Sequence, residues 1–127
     1  MQLLRHSITV FLLIISHVAL PQERIEPPFW WSGMQEPELQ IMLFGEALAE
    51  FEVKLEGEQI EFMGAYTLQN KNYLFVSVNI NNAPAQEFKI ILTKRGTKKI
   101  VKYKLLKREK ESKNRPGFNS SDAIYLI

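Results

Sequence analysis

Apolar and polar residues alternate along much of this chain with a period of two. Phe51, Val53 and Leu55 alternate with Glu50, Glu52, Lys54 and Glu56. That period is the mark of a strand with one face in a core and the other in water. Gln59-Ile60-Glu61-Phe62 takes up the pattern again after Gly57. Phe88, Ile90 and Leu92 alternate with Glu87, Lys89 and Ile91, and Val101, Tyr103 and Leu105 alternate with Lys102 and Lys104. Leu39 to Phe44 and Tyr73 to Ile80 are more continuously apolar, which predicts central strands buried on both faces. Turn residues punctuate these runs at Gly33, Gly45, Glu56-Gly57, Gly64, Asn70-Lys71-Asn72, Asn81 to Pro84 and Arg95-Gly96. A helical signal is confined to Glu46 to Glu50, too short for a helix of consequence. Short strands closely spaced between turns predict an all-β domain, a sandwich or a barrel.

The two ends break the pattern. Arg5 and His6 precede a run from Ile8 to Leu20 that is apolar except for Thr9, Ser16 and His17. A basic start and a short apolar stretch have the form of a secretory signal and fall short of the ~20 residues of a transmembrane helix. Residues 1–22 are therefore read as a signal peptide, with the folded chain secreted or periplasmic and no stable membrane anchor after cleavage. Residues 23–107 are read as the sandwich. Residues 108–122, with Arg108, Lys110, Lys113, Arg115, Pro116 and Gly117, have a linker composition. Ala123 to Ile127 is a wholly apolar strand-like run that follows Asn119-Ser120-Ser121-Asp122.

Composition narrows the chemistry. The chain of 127 residues is long enough for one core and not two. It has no cysteine, so disulfides, thiolate catalysis and cysteine zinc sites are excluded. Its two histidines, His6 and His17, both fall in the signal, which leaves no imidazole for general base catalysis or metal binding. Glu50, Glu52, Glu58 and Glu61 lie along strand faces, as solvated carboxylates do. Ser120-Ser121-Asp122 lacks a base and reads as a polar turn. Neither a cofactor nor a metal is expected, and Asn119 with Asp122 is too few ligands for calcium.

The net charge of +2 hides a division. Residues 23–61 hold 10 acidic and 2 basic residues, and residues 94–115 hold 11 basic and 2 acidic ones. Such halves can pair across the sandwich or between subunits, or the basic stretch can face an anionic surface. Nucleic acid is not an expected partner, because no aromatic platforms are interleaved with the basic residues.

Trp30 and Trp31 carry the main binding expectation. Adjacent strand residues point to opposite faces, so at most one of the two lies in the core. The other offers a flat amphipathic ring of the kind that stacks on sugars or packs against a partner. Tyr66 and Tyr73 are weaker candidates of the same kind.

Ile25-Glu26-Pro27-Pro28-Phe29-Trp30-Trp31-Ser32-Gly33-Met34 resembles the opening of the N-terminal domain of neopullulanases and cyclomaltodextrinases, members of the α-amylase superfamily of glycoside hydrolases. Asn72 to Val76 is similar to a central strand of that domain. Gly117-Phe118-Asn119-Ser120-Ser121-Asp122 with the apolar run after it is similar to the junction with the catalytic barrel. The resemblance implies an immunoglobulin-like β-sandwich, with residues 123–127 a stub of the first strand of a missing (β/α)8 barrel. It implies a non-catalytic module that binds α-glucan (starch or cyclodextrin oligosaccharides) weakly and helps assemble a homodimer. Trp30, Trp31, Tyr66 and Tyr73 would be its contact residues. A barrel takes about 250 residues, so no catalytic carboxylate is expected in this chain. The alternative is a fragment of a longer secreted enzyme that hydrolyses α-1,4-glucosidic bonds in cyclodextrins, pullulan or starch oligosaccharides.

Overall fold

A computed structural model describes residues 23–115 and residue 117. The signal reading of residues 1–22 and the barrel-strand reading of residues 123–127 fall outside the described residues. Eight strands form: β1 Arg24–Glu26, β2 Phe29–Trp31, β3 Glu38–Phe44, β4 Glu52–Glu56, β5 Glu61–Thr67, β6 Tyr73–Asn79, β7 Gln86–Lys94 and β8 Thr97–Leu106. Two short 3-10 turns, Leu48–Glu50 and Ser112–Asn114, complete the elements.

The strands make two four-stranded sheets, in the orders β1-β3-β6-β5 and β2-β8-β7-β4. With the strands lettered in chain order, and β1 and β2 taken as two halves of a divided first strand, these are the orders ABED and AGFC. That is the immunoglobulin arrangement. The first strand changes sheets at Pro27-Pro28, where the Glu26–Pro27 peptide is cis. All pairings are antiparallel except that of β2 with β8, which is parallel.

The core lies between the sheets and follows the alternation. Leu39, Ile41 and Leu43 of β3 and Leu74, Val76 and Val78 of β6 face Phe88, Ile90 and Leu92 of β7 and Val101, Tyr103 and Leu105 of β8. Each such side chain contributes about 1.5–3 kcal/mol on full burial. The β7–β8 hairpin turns on two residues, Arg95 and Gly96, both at positive φ (32° and 81°). That geometry matches the right-handed twist of the strands it joins, and a glycine at the second position accepts it without strain.

The two continuously apolar runs depart from expectation. β3 and β6 are central strands of their sheet, as predicted, but they are buried on one face only. Their other face carries Met42, Phe44, Tyr73 and Phe75, which are half-buried with no second layer over them among the described residues. Neighbouring rings give one another partial shelter: Phe44 and Tyr73 lie 4.9 Å apart, and Tyr66 stacks on Phe75 at 5.0 Å. A sandwich has two layers, so an apolar run in one of its strands cannot be covered on both sides.

Tyr103 is the anomaly of the core. Its ring lies 5.3 Å from that of Phe88, and its hydroxyl is buried with no hydrogen-bond partner among the described residues. Burial pushes the phenol well above its ordinary range. A buried hydroxyl without a partner costs stability. Tyr103→Phe is therefore expected to stabilise the domain by about 1 kcal/mol, seen as a rise in thermal midpoint of roughly 4–8 °C. An unchanged or lower midpoint would show that the hydroxyl has a partner after all.

Candidate functional site

The parallel pairing of β2 with β8 decides where the two tryptophans point. Phe29, Trp30 and Trp31 lie in register with Lys104, Leu105 and Leu106. Leu105 faces the core, and Trp30 beside it packs against the core cluster. Trp31 and Phe29 share the outward face with Leu106 and Lys104, and Trp31 is 37% exposed. Phe29 meets Trp31 edge-on at 5.3 Å, and the Trp30 and Trp31 rings lie 5.8 Å apart, so the exposed indole is held on two sides by aromatic neighbours.

The chain after β8 folds back beside this ring. The Ser32 backbone N–H donates to the Leu106 carbonyl at 2.8 Å, and Arg108 Nη1 donates to the Gly33 carbonyl at 3.2 Å. Arg108 Nε donates to Ser112 Oγ at 2.7 Å, the Ser112 hydroxyl donates to the Glu109 carbonyl at 2.8 Å, and Arg115 pairs with the Glu109 carboxylate. Residues with a linker composition are thus tied locally to the sandwich. Together Trp31, Met34, Arg108, Glu109, Ser112 and Arg115 line an open cavity of about 290 Å³. That is close to the lower end of small-ligand sites, at about 300 Å³. It joins one flat apolar ring to guanidinium, carboxylate and hydroxyl groups, which is what a ligand with hydrogen-bonding rims and apolar faces requires.

The other predicted contact residues lie elsewhere. Tyr66 and Tyr73 sit on the outer face of the β1-β3-β6-β5 sheet, in register with Phe75 and Phe44. Trp31 is on the outer face of the opposite sheet, and stacked sheets lie ~10 Å apart. The four residues therefore do not form one site: Trp30 belongs to the core, Trp31 to the cavity and the tyrosines to the far side. Met34, Glu109 and Ser112 carry no signal of a site in the sequence, and Arg108 and Arg115 carry only that of linker charges. What brings Arg108, Glu109, Ser112 and Arg115 to Trp31 is contact between residues 74 or more positions apart, which nothing local in the sequence marks.

A larger cavity, about 500 Å³, lies at the opposite end of β8 and is lined by Glu50, Glu52, Thr93, Lys94 and Arg95. It offers no aromatic face. Its chemistry is that of ion pairing: Glu50 pairs with Lys94 and, at 3.6 Å, with Lys71, and the Lys94 ammonium above all holds the Glu50 carboxyl below its ordinary range. Lys99 pairs with Glu23 at 2.8 Å, and its ammonium lies 5.5 Å from the Phe51 ring. The acidic and basic halves of the chain do meet within one molecule here, at exposed positions where such pairs add little to stability. Among the described residues no group of three or more carboxylate or histidine side chains is placed to hold a metal ion.

Among known families, the model described as "Cyclomaltodextrinase, N-terminal" matches residues 24–109. That span takes in all eight strands, Trp31 and the first three residues beyond β8. It covers more than half of the chain, and the chain therefore belongs to the cyclomaltodextrinase N-terminal domain family, the non-catalytic N-terminal part of a family of glycoside hydrolases.

Proposed function

We propose that this domain makes weak contacts to α-glucan chains at the Trp31 corner and takes part in subunit assembly, in a cyclomaltodextrinase-like glycoside hydrolase acting outside the cytoplasm. Hydrolysis of α-1,4-glucosidic bonds would belong to a catalytic barrel, for which these 127 residues have no room. The observation that carries the glucan half is the exposed indole of Trp31 beside polar side chains in an open cavity. A glucose ring has an apolar C–H face to lay on the indole and a rim of hydroxyls for Arg108, Glu109, Ser112 and Arg115. Such a site, shallow and with a single ring, suits affinities of about 1 mM, or −4 kcal/mol.

Calorimetric titration of the chain with maltoheptaose and with β-cyclodextrin tests this. Binding near 1 mM is expected, with at least a tenfold loss in Trp31→Ala, or about 1.4 kcal/mol. Tyr66→Ala, on the far face, is expected to leave glucan affinity unchanged. No heat at saturating oligosaccharide, or equal binding by Trp31→Ala, would remove the glucan reading.

A further inference from the structure

The arginines among the described residues are Arg24, Arg95, Arg108 and Arg115, and their charges are met differently. Arg24 pairs with Glu26 at 2.8 Å, and Arg115 pairs with Glu109. Arg95 stands exposed in the β7–β8 turn, where water solvates it. Arg108 is unlike all of these. It is half-buried and held at two points, by Ser112 Oγ at Nε and by the Gly33 carbonyl at Nη1. Both acceptors are neutral, and among the described residues no carboxylate pairs with it. A charge partly withdrawn from water with no counter-charge is costly to keep, and it gains from one that arrives.

That guanidinium lines the Trp31 cavity. The lining holds two guanidiniums, of Arg108 and Arg115, against one carboxylate, of Glu109. Arg115 and Glu109 already meet each other, so the charge left over is that of Arg108. Its two hydrogen bonds fix the plane of the group, and its Nη2 amino group has no partner among the described residues. A guanidinium fixed in plane with N–H groups to spare is suited to an oxyanion, which takes such bonds in parallel pairs. A neutral hydroxyl can accept one of those bonds but leaves the charge unmet.

We infer that the Trp31 cavity selects α-glucan units that carry a phosphate ester, with the sugar ring on the Trp31 indole and the phosphate on Arg108. This rests on the glucan half of the proposed function and names the class of glucan. A phosphate monoester brings a charge of about −1.5 to −2 at pH 7 and three acceptor oxygens. It therefore supplies the counter-charge that Arg108 lacks, and has oxygens left for the Ser112 hydroxyl and for Arg115. The Glu109 carboxylate opposes an anion, and its pairing with Arg115 blunts that opposition. The indole and the guanidinium share one cavity of about 290 Å³, so a single ring and its substituent reach both. The ring face alone gives weak binding to any glucan; the guanidinium adds the preference.

Calorimetric titration of the full chain with maltoheptaose, with maltoheptaose bearing a 6-phosphate and with inorganic phosphate tests this. The phosphorylated chain is expected to bind at least tenfold more tightly than the neutral one, with the gap narrowing at high salt. Arg108→Gln should bring the ratio of the two affinities to within about twofold, whatever it does to either alone. Glu109→Gln, an exposed change that removes the opposing carboxylate, should widen the ratio. Equal binding of the two oligosaccharides overturns the phosphate inference and leaves the glucan reading standing. A preference that Arg108→Gln leaves intact, or that Glu109→Gln leaves unraised, overturns the assignment to this cavity. Inorganic phosphate that binds as tightly as the phosphorylated oligosaccharide overturns the role of the sugar ring. Binding by neither oligosaccharide removes the glucan reading and this inference together.

Discussion

Phe88→Ala is expected to lower the unfolding free energy by about 4 kcal/mol, within the range of roughly 3–5 kcal/mol for a phenylalanine lost from a packed core. Phe88 is fully buried in β7, its ring touches that of Tyr103, and its Cβ lies under the turn at Gly57. The lost ring removes transfer free energy and leaves a cavity between two sheets that strand pairing holds apart, so little collapse can fill it. A domain of this size has roughly 5–14 kcal/mol in total, at about 0.05–0.15 kcal/mol per residue. The variant would keep its fold with a much reduced margin or lose it altogether. Urea denaturation measures the difference. A loss under about 1.5 kcal/mol, below the usual cost of such a truncation, would mean that the two sheets slide to close the gap.

Gly57→Ala should cost about 2 kcal/mol, as overpacking commonly does, although residue 57 is exposed in a turn. Its φ is not in the left-handed region, so conformational freedom is not the reason. Space is. A Cβ at this position would stand 2.7 Å from Phe88 Cβ and 2.9 Å from Ile60 Cγ1, and the first of these is fixed to the backbone of a central strand. The same Cβ would come within 3.2 Å of Gln86 Oε1. That oxygen accepts from the Glu58 N–H at 2.8 Å while Gln86 Nε2 donates to the Glu58 carbonyl at 2.7 Å, a two-bond clamp on the β4–β5 turn. The methyl group therefore strains a core contact and a turn together. Equal thermal midpoints for Gly57→Ala and the parent chain would show that the turn can back away without loss.

These two sites mark what the sequence makes legible. The alternation that puts Phe88 in the core is visible residue by residue, as it is for Val53, Leu55, Val101 and Tyr103. Arg95-Gly96 announces its hairpin, and adjacency alone requires Trp30 and Trp31 to part ways. These are local facts, fixed by the pleat and by turn geometry. The crowding at Gly57 is not local, since it depends on β7 passing beneath the turn. Nor is the Trp31 cavity, whose other walls come mostly from residues 108–115 and are placed by the parallel alignment of β2 with β8. No periodicity encodes which strand lies beside which. The apolar runs of β3 and β6 misled for a related reason: their outer side chains shelter one another ring against ring, and an apolar residue covered by its neighbours looks in sequence like one covered by a second layer.

The parallel alignment of β2 with β8 also sets how the domain carries load. β2 is near the point where the chain enters the sandwich and β8 is where it leaves, and the two run in the same direction side by side. Tension applied between the two ends draws these strands past each other along their length. The hydrogen bonds that join them, with the Ser32 to Leu106 bond beyond, then resist together in shear instead of opening one after another as in a hairpin pulled apart. The sandwich thus behaves as a stiff link in the chain, one that passes displacement from one end to the other with little stretch of its own.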